Sequence, residues 1–69
     1  MIIAERVNQW LRERHGKAFC DDCIAEELGL AQRAQAFRVT SALGTTPSFV
    51  RKRGQCDRCG EDRFVTKAA

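Results

Sequence analysis

Four cysteines constrain this chain more than any other feature. They stand as two hooks of one spacing, Cys20-Asp21-Asp22-Cys23 and Cys56-Asp57-Arg58-Cys59, and the 69 residues hold no other cysteine. Residues 24–55 lie between the hooks, and Gly60 follows the second. Two C-x-x-C pairs so separated are the mark of a tetrahedral zinc site with four thiolate ligands. One ion on Cys20, Cys23, Cys56 and Cys59 closes the chain on itself. Four protein ligands leave no open coordination position, so the expected role of the zinc is structural and not catalytic.

Length makes such a tie useful. A chain of 69 residues is expected to form a single domain, residues 1–69. Such a domain buries only about 60% of its unfolded surface and is marginally stable on packing alone. Metal binding free energy then becomes folding free energy. At 43% hydrophobic and 30% charged residues the chain is too apolar for disorder. No apolar run approaches the roughly 18 residues that span a bilayer. The start, Met1-Ile2-Ile3-Ala4-Glu5-Arg6, does not read as a signal peptide. The expected setting is therefore cytoplasmic and reducing, with no membrane partner, where cysteines bind metal in preference to forming disulfides. Reduced pairs or disulfides are the alternative.

A redox reading fits poorly. Asp21 and Asp22 would raise the thiol pKa of the first hook, and no βαβ pattern exists to build a thioredoxin-like fold. No phosphate loop, Ser/His/Asp set or paired carboxylates in a recognisable context occur. The chain reads as no enzyme and calls for no small-molecule substrate.

Three helices and two strands are expected around the hooks. Ile3, Val7, Trp10 and Leu11 recur at helical spacing and predict a helix over 2–14 with Trp10 in the core and Gly16 beyond its end. His15 reads as a surface or capping residue. Lys17-Ala18-Phe19 is an extended link. Asp21 or Asp22 caps a second helix with Ile24, Ala25 and Leu28 inside, ended by Gly29. Ala36, Val39, Thr40 and Leu43 predict a third helix over 31–43, with Phe37 on its flank. Its opposite face carries Ala34, Gln35, Arg38 and Ser41, and no acidic residue. Gly44-Thr45-Thr46-Pro47 breaks it. Residues 48–53 and 62–67 read as strands joined by a turn at the second hook, and 67–69 as a frayed tail.

The stretch Ile24-Ala25-Glu26-Glu27-Leu28-Gly29-Leu30, followed by a helix rich in Gln and Arg, resembles the helix-turn-helix of bacterial DNA-binding proteins. With the hairpin it resembles a winged helix over residues 18–67. Gln35 stands where that pattern has an apolar residue, and Ala36 takes its place. The resemblance implies a small α+β fold, three helices and a β-hairpin, with the third helix reading DNA and the 48–67 hairpin as wing. In that fold the strand before helix 2 pairs with the last strand. This brings Cys20 beside Cys59 and Gly60, consistent with one metal site.

The net charge of +3 is uneven: residues 1–30 sum to −2 and residues 31–69 to +5. An anionic partner is implied. The candidate contacts to double-stranded DNA are Arg33, Gln35, Arg38 and Ser41 on the helix and Arg51, Lys52 and Arg53 on the hairpin. A charged strand that blunts a sheet edge is the competing reading of Arg51-Lys52-Arg53. A chain this small reaches one half-site, so a homodimer or protein partner is implied if specificity matters. Two rival readings keep the zinc. One is a protein-interaction module without DNA binding; the other is a zinc-ribbon or treble-clef arrangement of reordered elements. Arg58 and Lys17 are the expected neighbours of the thiolates.

Overall fold

The stripe Ile3, Val7, Trp10, Leu11 becomes the inner face of helix α1 (Ile3–Glu13) in a computed structural model that describes residues 2–69. Val7 and Leu11 are fully buried. Trp10 is buried too, edge-on to Phe19 with ring centroids 4.6 Å apart, while the Arg14 guanidinium lies 4.2 Å from the Trp10 ring centroid. Burial of Leu11 alone stabilises by about 1.5–3 kcal/mol.

The elements that follow are β1 (Phe19–Cys20), α2 (Asp21–Leu28), α3 (Arg33–Leu43), β2 (Phe49–Gln55) and β3 (Asp62–Ala68). The three strands form one antiparallel sheet in the order β1-β3-β2. The architecture is thus small α+β, three helices and a three-stranded sheet. The short first strand pairs with the last one, as expected, but deeper along it. Phe19 faces Thr66 and Cys20 faces Val65, not Cys59 or Gly60. The hooks meet for another reason. The turn between β2 and β3 folds back onto β1: Asp57 N–H donates to Ala18 O at 2.8 Å, and Ala18 N–H to Asp57 Oδ2 at 2.7 Å.

Helix ends follow local chemistry. Neither Asp21 nor Asp22 is the N-cap of α2. Cys20 holds that position in extended conformation, and the two aspartates lie in the first turn, where the helix dipole favours acids. Gly29 closes α2 at φ 65° and ψ 34°, and Leu30 N–H returns to Ala25 O at 2.9 Å. Arg6 reaches across from α1 to donate to Leu28 O at 2.7 Å, which satisfies a carbonyl at the same helix end. α3 begins two residues later than the periodicity suggests, because the Gln35 side chain accepts from Gln32 N–H at 3.3 Å and fixes the start there.

β2 and β3 pair along their whole length, from Phe49 opposite Ala68 to Gln55 opposite Asp62. The expected frayed tail is instead tied down. Lys67 and Ala68 belong to β3, Ala69 N–H donates to Ser48 O at 2.9 Å, and His15 Nε2 lies 2.7 Å from Ala69 O. His15 therefore caps this strand end, a long-range contact that no local pattern announces. The core joins all three helices to the sheet through Leu11, Ile24, Ala36, Phe49 and Val65.

Candidate metal centre

The four sulfurs converge from two places. Cys20 ends β1 and Cys23 sits in the first turn of α2, a three-residue spacing that turns both thiols to one side of the strand–helix junction. Cys56 and Cys59 lie in the turn after β2. There Gly60 takes φ 78°, Gly60 N–H donates to Cys56 O at 3.0 Å, and Cys56 N–H donates to Glu61 O at 3.0 Å. All four Sγ atoms lie within 4.8 Å of one another. Cys20 and Cys59 are 3.8 Å apart, Cys23 and Cys56 3.6 Å. A tetrahedral ion with metal–sulfur bonds of about 2.3 Å sets ligand–ligand edges of about 3.8 Å. The donor set fits such an ion and is far from the roughly 2.05 Å of a disulfide. All four cysteines are free; Cys20, Cys23 and Cys56 are buried and Cys59 is exposed.

The environment splits the thiols. Burial pushes Cys20 up to about 12 and raises Cys23 as well. Cys56 goes the other way. Burial raises it too, but the backbone N–H groups of Cys59, Cys20 and Arg58 outweigh that and bring it from 9.0 down to about 6. Two of those donors lie 3.4 Å from the sulfur, Cys20 N–H and Arg58 N–H. The Arg58 guanidinium beside Cys23 favours its thiolate. Arg58 also pairs with Glu26 at 3.1 Å and Glu27 at 3.5 Å, which ties the second hook to α2. Arg63 brings a second positive charge toward Cys20 and Cys59. Four thiolates around a divalent ion would carry −2, and these two arginines, shared with Glu26, Glu27 and Asp22, lie beside that charge. Arg63 was not foreseen from sequence, and Lys17 makes no ion pair or side-chain hydrogen bond among the described residues.

Asp21 and Asp22, the residues inside the first hook, do more than begin a helix. Arg51 donates to both Asp21 oxygens, Nη1 to Oδ1 and Nη2 to Oδ2, each at 3.2 Å. Thr40 Oγ1 donates to Asp21 Oδ1 at 2.7 Å, and Arg51 Nη1 also reaches Thr40 at 2.9 Å and Thr66 at 3.1 Å. Asp22 pairs with Arg33 at 3.4 Å and with Arg63. The first hook therefore joins its cysteines to the metal position and its aspartates to α3 and the hairpin.

That network occupies one of the expected DNA contacts. Arg51 is half-buried, and its guanidinium is engaged by Asp21, Thr40 and Thr66. Strand alternation alone does not single it out, since Arg53 shares its parity with Phe49 and is exposed. Lys52, Arg53, Arg33 and Arg38 are exposed; Arg33 is paired as above, and Arg53 lies 3.9 Å from Asp62. Arg38 and Lys52 make no ion pair among the described residues. Gln35 commits its oxygen to the start of α3, and Ser41 is half-buried. Two further residues on this side are exposed phenylalanines, Phe37 and Phe64.

Fold and site together define a small α+β protein with a four-cysteine cluster suited to a metal ion. No helix among the described residues is long and apolar enough to cross a membrane. Comparison with family models, with curated proteins and with solved structures returned no match.

Proposed function

We propose that this chain is a winged-helix domain, held by one structural zinc ion, that binds double-stranded DNA through α3 and the β2–β3 hairpin. The observation that carries this reading is the outward face of α3. Ala34, Phe37 and Arg38 are exposed there, α3 contains no acidic residue, and the paired hairpin follows it directly. Such a helix suits the major groove. Arg38, free of an ion pair, is the candidate for a guanine edge, and Lys52, Arg53 and Arg33 for phosphates. Zinc is the metal a tetrahedral set of four thiolates favours for a structural role. It takes no part in chemistry; it holds the start of α2 against the hairpin turn.

Binding of a mixed-sequence duplex at low salt, followed by fluorescence anisotropy, tests the reading. Measurable binding that weakens steeply with salt supports it. Absence of binding at low salt refutes it.

A protein-interaction module is the second reading. Asp22 and Asp62 partly neutralise Arg33, Arg63 and Arg53, and two exposed phenylalanines flank them. Protein partners retained on the immobilised chain and released by Phe37→Ala, together with no affinity for duplex, would favour it.

A further inference from the structure

Phe37 is 52% exposed in the middle of α3. Ala34, one turn earlier, is exposed on the same side of the helix. The Phe37 ring is braced: the Arg51 guanidinium lies 5.5 Å from its centroid and 5.6 Å from that of Phe64. Arg51 is itself fixed by Asp21, Thr40 and Thr66. A large apolar ring is thus held outward on a helix that carries Arg33 and Arg38 and no acid. Neither Phe37 nor Ala34 offers a hydrogen bond to a base edge.

We infer that Phe37 and Ala34 form an apolar contact for the 5-methyl group of thymine in the major groove, so that Phe37 is a specificity-determining residue. The inference rests on the DNA-binding reading above. Thymine alone among the four bases presents a methyl group in that groove. A methyl laid against the ring leaves water on both sides, whereas a cytosine or guanine edge facing the ring loses its hydrogen-bonding water without replacement. The positive charges of α3 match the duplex that carries the methyl.

The experiment begins with selection of binding sites from a random duplex library by the metal-loaded chain. A thymine should recur at one position. Replacing that thymine with deoxyuridine should weaken binding about fourfold, the worth of one methyl group taken from water. Phe37→Ala should bind the thymine and uracil duplexes equally and keep the wild-type salt dependence, since no charge changes. Phe37→Leu, apolar and helix-compatible, should keep part of the discrimination and covers the case in which the alanine variant folds poorly. Equal binding of thymine and uracil duplexes by the wild type overturns the inference and leaves the DNA reading standing. So does full discrimination in Phe37→Ala. No binding to any duplex overturns both.

Discussion

Asp21 and Arg51 lie thirty residues apart in sequence and meet through two hydrogen bonds of 3.2 Å, with side chains only 12% and 13% exposed. Asp21 sits between two candidate metal ligands, and Arg51 sits on the strand that follows α3. The pair therefore links the candidate metal centre to the helix and hairpin we propose as the reading face. Truncating one partner leaves the other charge buried. We predict that Arg51→Ala costs about 3 kcal/mol, and Arg33→Ala, whose pair is exposed, under about 1 kcal/mol. Urea unfolding of the two variants measures both; equal costs would show that the partly buried Arg51 pair is worth no more than an exposed one.

Gly44 is needed for space and not for backbone freedom. Its φ is −65°, ordinary for any residue, but a β-carbon there would lie 2.7 Å from Arg51 Cβ. Gly44→Ala is expected to push α3 off β2 and lower stability by about 1–3 kcal/mol. Chemical denaturation reads the loss, and a neutral result would mean that the helix end yields freely.

Metal removal should be felt throughout the fold. The prediction is one zinc per chain by elemental analysis, and loss of helical circular dichroism when a strong chelator is added. Cys56→Ser should match the chelated protein. A chain that stays folded with four free thiols would refute the structural role.

Metal affinity should fall as pH falls, with a sign set by the thiols. Burial keeps Cys20, at about 12, and Cys23 protonated near neutrality, so loading must displace both protons. Cys56, at about 6, is already a thiolate at pH 7 and gains a proton to displace only below about 6. The dissociation constant should therefore rise by at least about two decades for each pH unit lost between pH 8 and 6. Competition with a chromophoric chelator gives this slope. A flat profile would contradict it.

If α3 and the hairpin contact DNA, unpaired exposed cations set the salt dependence. Arg38→Ala and Lys52→Ala should each reduce the slope of log affinity against log salt by about 0.9. Arg51→Ala, read in a background stable enough to stay folded, should leave the slope unchanged. Equal slopes in all variants would remove these two side chains from the interface.

Much of this was legible from residues alone. The stripe on α1, the glycine end of α2 and the two strands around the second hook follow from spacing, because a helix repeats every 3.6 residues and a strand every two. The gathering of four thiols followed from two C-x-x-C pairs. The roles of charged residues were not legible. Arg51, Lys52 and Arg53 look alike in sequence, yet one is half-buried in an ion pair and two are exposed, since only the tertiary packing decides which of them meets Asp21. Arg63 and His15 act on groups distant in the chain, and no local pattern points to them.

The sequence by itself determined the element types and the four cysteines of the candidate metal site, because both depend on short-range periodicity and on the affinity of thiolates for metal. Only the tertiary structure decided how the hooks meet and what the aspartates between Cys20 and Cys23 do. The turn folds back through Asp57 and Ala18 to bring Cys56 and Cys59 to the first hook. Asp21 and Asp22 then collect Arg51, Arg33 and Arg63 from other elements. These are long-range contacts, fixed by sheet register and by the cost of burying a charge without its partner.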